Sequence, residues 1–148
     1  MNTPKTLAIG CDHAGFEYKE ALLKWLEEEG YTILNFGTNS PASVDYPDFV
    51  HPVCRALEHQ EAEMGILLCG SANGVAITAN KHLRIRAAIC WMDEIAPLAR
   101  QHNNANVICL PARFISLELA KSMVIKFINT PFEGGRHQRR VEKISELS

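Results

Sequence analysis

Five short apolar runs recur along this chain, and each hands over to a segment whose apolar residues repeat at helical spacing. The runs are TLAIGC (residues 6–11), YTILNFG (31–37), MGILLC (64–69), IRAAIC (85–90) and NVICL (106–110). Tyr18, Ala21, Leu22, Trp25 and Leu26 form the first helical stripe, which Gly30 stops. Asp45 is positioned to cap a second helix, opened by Pro47 and carrying Val50, Val53, Cys54 and Leu57. Further helices are predicted over about 73–81, 93–102 and 117–128, and the polar stretch GGRHQRRVEKISEL predicts a last one at the C-terminus. Strand–helix alternation of this kind predicts one α/β domain over residues 1–148, built on a five-stranded parallel sheet covered on both faces. No internal repeat, low-complexity stretch or linker divides it.

Such sheets bind ligands beyond the carboxyl ends of their strands, beside a change in strand order. The stretches CDHAG, CGSANG, CWMDE and LPARF fall there. Totals narrow the chemistry. A net charge of −2 gives no broad attraction to nucleic acid or an anionic membrane, so neither is expected as a partner. No apolar run approaches the roughly 18–20 residues that span a bilayer, and the N-terminal run is too short for a signal peptide. The five cysteines are odd in number and form no CxxC pair, which argues against a disulfide framework or a zinc site. No metal is expected, and a reducing cytoplasm is the expected compartment.

CDHAG puts Asp12 and His13 just past the first strand. Asp12 is read either as a helix cap or as a carboxylate that bonds a sugar hydroxyl, with His13 facing an anion. In CGSANG two glycines let backbone approach a ligand, and the N–H groups from Gly70 to Gly74 would form a nest for negative charge. The loop is neither GxxxxGK[ST] nor GxGxxG, so a nucleotide is not indicated. Cys69, beside that helix start, is either a buried core thiol or a thiol of lowered pKa able to take a proton from carbon. His102 ends a helix, where an imidazole interacts with the dipole or serves as a proton donor at the corner. Arg136 and Arg140 share a helical face with His137 beside them, a group that fits either a phosphate or a solvated basic surface.

Six motifs in order, GCDHAG, DYPDF, ILLCGSANGVAITANK, IRAAIC, ARQHNNANV and FEGGRHQRRV, resemble the ribose-5-phosphate isomerase B family, which includes isomerases of galactose 6-phosphate and allose 6-phosphate. The resemblance implies a single-domain Rossmann-like three-layer sandwich and a cofactor-free aldose–ketose isomerase acting on ribose 5-phosphate. It implies a homodimer or tetramer whose active sites are shared between subunits. Carried over by position, Cys69 moves the C2 proton, while Gly70, Ser71 and the loop through Gly74 cradle the enediolate. His102 helps open the sugar ring, with Asp12, Tyr46 and Asn103 around the sugar. His13, Arg113, Arg136, His137 and Arg140 hold the phosphate. A hexose phosphate on the same site, or a silent sugar-phosphate sensor, are the alternatives. One departure stands out: the family loop begins Cys-Gly-Thr-Gly, and here it reads Cys-Gly-Ser-Ala. If position 72 needs positive φ, alanine costs about 1 kcal/mol or more there.

Overall fold

The computed structural model describes residues 4–147. Its strands are β1 (Thr6–Cys11), β2 (Thr32–Asn35), β3 (Met64–Cys69), β4 (Ala87–Ile89) and β5 (Val107–Pro111). Its α-helices are α1 (Phe16–Glu28), α2 (Pro47–Glu58), α3 (Asn73–Ala79), α4 (Ile95–Asn103), α5 (Leu117–Asn129) and α6 (Arg136–Lys143), with a 3-10 turn over His13–Gly15. All strand pairs are parallel, in the order β2-β1-β3-β5-β4.

Alternation along the strands divides the core in two. Leu7, Ile9, Ile66, Leu68, Ile108 and Leu110 face α1, α4 and α5, together with Leu22, Leu26, Ala99 and Phe127. Ala8, Leu67, Cys69, Val107 and Cys109 face α2 and α3, together with Val50, Val53, Val75 and Ala79. β3 is buried along its whole length, as expected for a central strand covered on both faces. The three layers follow from this pattern.

Local chemistry explains most boundaries. Gly30 takes φ +99° just after α1, and the Ser116 hydroxyl accepts from the N–H of Leu119 to start α5. Asp45 does not cap α2 with its side chain: Tyr46 flanks the helix and Asp45 offers its carbonyl to the N–H of Asp48. Strand β4 is shorter than the apolar run IRAAIC, because Ile85 closes a turn onto the His82 carbonyl before pairing begins.

The strand order reverses between β1 and β3. Chain leaving β1 pairs outward as β2, and chain leaving β3 goes toward β5 and β4. Cys11 lies opposite Leu68, so Asp12 and Cys69 emerge side by side at the carboxyl edge of the reversal.

Candidate active site

Asp12 uses Oδ1 to accept the N–H of Ala14 at 2.9 Å and of Gly15 at 3.3 Å. The capping reading of this residue is thus met on one oxygen, and the carboxylate is buried at the carboxyl edge of the sheet. His13 accepts the N–H of Val44 at Nδ1, 3.2 Å away. A backbone N–H can only donate, so the neutral His13 ring carries its proton on Nε2.

Cys69 ends β3, 5% exposed. Burial raises its pKa above the ordinary thiol value. The N–H of Val75 opposes that rise, the Asp12 carboxylate adds to it, and the N–H groups of Ala72 and Gly74 oppose it. The sequence left a buried core thiol and a thiol of lowered pKa as alternatives. Desolvation outweighs the amide nest in the free protein, so the resting group is the neutral thiol.

The loop that follows is tightly shaped. Ala72 is wholly buried with φ +67°, the left-handed conformation that the departure from glycine put in question. Ser71 is exposed, and its Oγ accepts from the Asn73 side-chain amide at 3.0 Å, so its hydroxyl proton stays free to donate. Tyr46 lies flat against Gly74: a Cβ there would sit 2.4 Å from the tyrosine Cζ. Arg113 crosses Gly70 in the same way, within 3.2 Å of where a Cβ would stand, and its N–H bonds the Gly70 carbonyl at 3.1 Å.

The remaining candidates gather elsewhere. His102 and Asn103 close α4, whose chain then turns to enter β5 at Val107. They therefore lie toward the amino edge of the sheet. Cys69 pairs with Pro111 at the far end of β5, a strand length of roughly 13 Å away. The His102 ring stacks on His137, with centroids 4.4 Å apart and planes 14° from parallel. His137 is buried in α6, whereas Arg136 and Arg140 on the same helix are exposed. Burial lowers the His137 pKa, with help from His102, Arg136 and Arg140 against the opposing Glu133. The Glu133 carboxylate lies 3.5 Å from His137 Nε2.

His102, Glu133 and His137 bring ligand-type atoms within 4.8 Å of one another, a cluster the sequence spacing did not suggest. Their near-parallel stacking keeps the in-plane lone pairs of the two rings from converging on one ion. A recess of about 440 Å³ opens at this amino edge between Asn80, His82, Arg86, Asn103, Ile144 and Leu147. Only Asn103 among the candidates lines it.

Sequence reading missed Lys19, which is fully buried although charged. A signal was present: Lys19, Leu22 and Leu26 fall on one buried stripe of α1, at i, i+3 and i+7. It also missed a carboxylate–imidazole–imidazole chain, Glu58 to His82 at 2.9 Å and His82 to His51 at 2.8 Å, tying α2 to the turn after α3.

Residues 7–144 match the family described as ribose/galactose isomerase. A protein named ribose-5-phosphate isomerase B from Escherichia coli K12 is 42% identical over 143 residues, covering 97% of this chain and 96% of its own. A crystal structure of a ribose 5-phosphate isomerase from Thermotoga maritima superposes with a TM-score of 0.94 at 48% identity, over 96% of this chain and 98% of that one. The ribose-5-phosphate isomerase B of Mycoplasma genitalium with bound ribulose-5-phosphate gives a TM-score of 0.90 at 38% identity, over 95% and 94%.

Proposed function

The chain belongs to the ribose/galactose isomerase family, and from that premise we propose that it interconverts ribose 5-phosphate and ribulose 5-phosphate through an enediolate, with Cys69 as the base. The observation that carries this reading is the thiol at the strand-order reversal, faced by the N–H groups of Val75, Ala72 and Gly74 and flanked by Asp12. The Mycoplasma genitalium relative, crystallised with ribulose-5-phosphate, supports the same sugar.

In the forward direction the Cys69 thiol, neutral at rest, first gives its proton to solvent, and the resulting thiolate takes the C2 proton of the opened sugar. The enediolate oxygen is held by the amides from Gly70 to Gly74 and by the Ser71 hydroxyl, and the proton returns to C1. Asp12 Oδ2 and the Tyr46 hydroxyl bind sugar hydroxyls. His13, through Nε2–H, and Arg113 meet the phosphate, and the exposed guanidiniums of Arg136 and Arg140 complete its grip with His137. His102 assists ring opening, with Asn103 beside the sugar. The whole chain acts as a single catalytic domain of cytoplasmic sugar metabolism and needs no cofactor for these steps.

His102 and its neighbours lie on the opposite edge of the sheet from Cys69, so they serve the site of another copy. This supports a homodimer or tetramer with shared sites. Exposed Ile77, Trp91, Met92 and Phe114 supply apolar surface for association.

The test is kcat/KM for ribose 5-phosphate against allose 6-phosphate. A preference for the five-carbon sugar is expected. A large preference for the six-carbon sugar would move the assignment to a hexose-phosphate isomerase, and absence of both product and solvent-deuterium exchange would leave a sensor.

A further inference from the structure

Lys19 is the charged side chain that the catalytic reading leaves unused, and a fully buried ammonium persists only where its environment is built for it. Here it is. Nζ donates to Asn39 Oδ1 at 2.8 Å and to Asn35 Oδ1 at 3.2 Å, and it lies 3.4 Å from the Glu20 carboxylate. The Phe16 ring lies 5.5 Å away on the same helix.

Both amide partners belong to the segment that follows β2. Asn35 also accepts the N–H of Gly37 at 3.0 Å and donates to Asn39 at 3.0 Å, so the ammonium and the two amides close one polar knot. Between them the backbone extends the β1 ladder to the residue before Asp12: Cys11 N–H bonds the Gly37 carbonyl at 2.7 Å, and Thr38 N–H bonds the Cys11 carbonyl at 2.9 Å. The same segment runs on to Val44, whose N–H fixes the tautomer of His13.

We propose that Lys19 is a positioning residue for the phosphate-binding corner. Its ammonium ties α1 to Asn35 and Asn39, and thereby holds the 35–44 segment where the Val44 N–H keeps His13 as the Nε2–H donor. Lys19 touches no substrate and acts through the loop. This rests on the reading of His13 as a phosphate ligand, and the test separates the two.

Lys19→Met keeps the length and apolar stem while removing the donors of the knot. Asn39→Ala, at an exposed position, loosens the same knot without entering the core. For Lys19→Met, KM for ribose 5-phosphate should rise about five- to tenfold with kcat within about twofold, as expected for lost uniform binding. Inhibition by inorganic phosphate should weaken by the same factor, and Asn39→Ala should give a smaller change of the same kind. Nitrogen NMR of His13 should change from a single Nε2–H tautomer to a mixture in both variants. A purely structural lysine predicts a lower Tm with KM, phosphate inhibition and the His13 tautomer unchanged, and that result in Asn39→Ala alone overturns the proposal if Lys19→Met does not fold. His13→Ala is the control. Should it leave KM unchanged, the phosphate role of His13 falls, while the tautomer still decides whether Lys19 sets it.

Discussion

At the carboxyl edge of the sheet the candidate groups are held by backbone; at the amino edge they are held by side chains. Asp12, Cys69 and Ser71 sit within a few residues of strand ends, and their immediate partners are amides of the adjoining turns or the neighbouring Asn73. His102 and His137 instead ride on two helices and are set by stacking on each other, with Glu133 alongside. A backbone-built nest is rigid and already aimed at developing negative charge, which suits a proton-transfer step. Exposed guanidiniums on a short terminal helix can adapt to the reach of a phosphate, which suits binding.

Variants at the two edges should therefore fail in different ways. Cys69→Ala is the largest expected effect, a loss in kcat of about a thousandfold or more, with inorganic phosphate still bound. Near-normal turnover would erase the division of labour. Arg140→Ala comes next: KM should rise about tenfold with little change in kcat, and steady-state kinetics giving a pure kcat loss would move this residue into the chemistry.

The edges also differ in their sensitivity to pH. Burial raises the Cys69 pKa, so kcat/KM should climb as pH rises from 7 through 9, and a flat profile would remove the thiol as base. Stability runs the other way. Cys11 is pushed up to about 11 and Cys54 and Cys90 to about 12, while unfolded thiols ionise near 9. The unfolded chain therefore loses protons first, and Tm should fall as pH rises above 9. His137 has a lowered folded pKa, so the unfolded chain gains its proton first, and Tm should also fall as pH drops below about 6.5. A His137→Gln variant should lose only the acid side of that profile.

The smallest effect is expected at Ala72→Gly. Relief of the left-handed strain, about 1–2 kcal/mol, is offset by lost methyl burial and a freer unfolded chain, so stability by denaturant titration should stay within about 1 kcal/mol.

How much of this was legible in the sequence follows from the range of the forces involved. The strands and helices rest on local periodicity, and β1, β3 and α5 were readable within a residue or two. The residues after β1 and β3 could be singled out because parallel sheets bind ligands there. The two edges could not be separated by spacing, since the distance between Cys69 and His102 depends on the direction of α4 relative to β5. Spacing left the thiol's two readings open: the helix start that argues for a lowered pKa is visible in CGSANG, whereas the burial that outweighs it comes from α2 and α3 packing over β3. The role of Lys19 was not legible because its partners, Asn35 and Asn39, lie 16 and 20 residues away.

If thiol and imidazole are drawn from different copies, as proposed, the chain is not the unit of activity. A Cys69→Ala chain still carries a sound His102, and a His102→Ala chain still carries a sound Cys69. Mixed and reassembled, the two inactive proteins should regain activity, because each mixed pair rebuilds one whole site from its two intact halves while the other site collects both lesions. Two null alleles would then complement within one gene, and a mixture that stays silent would return both residues to a single copy.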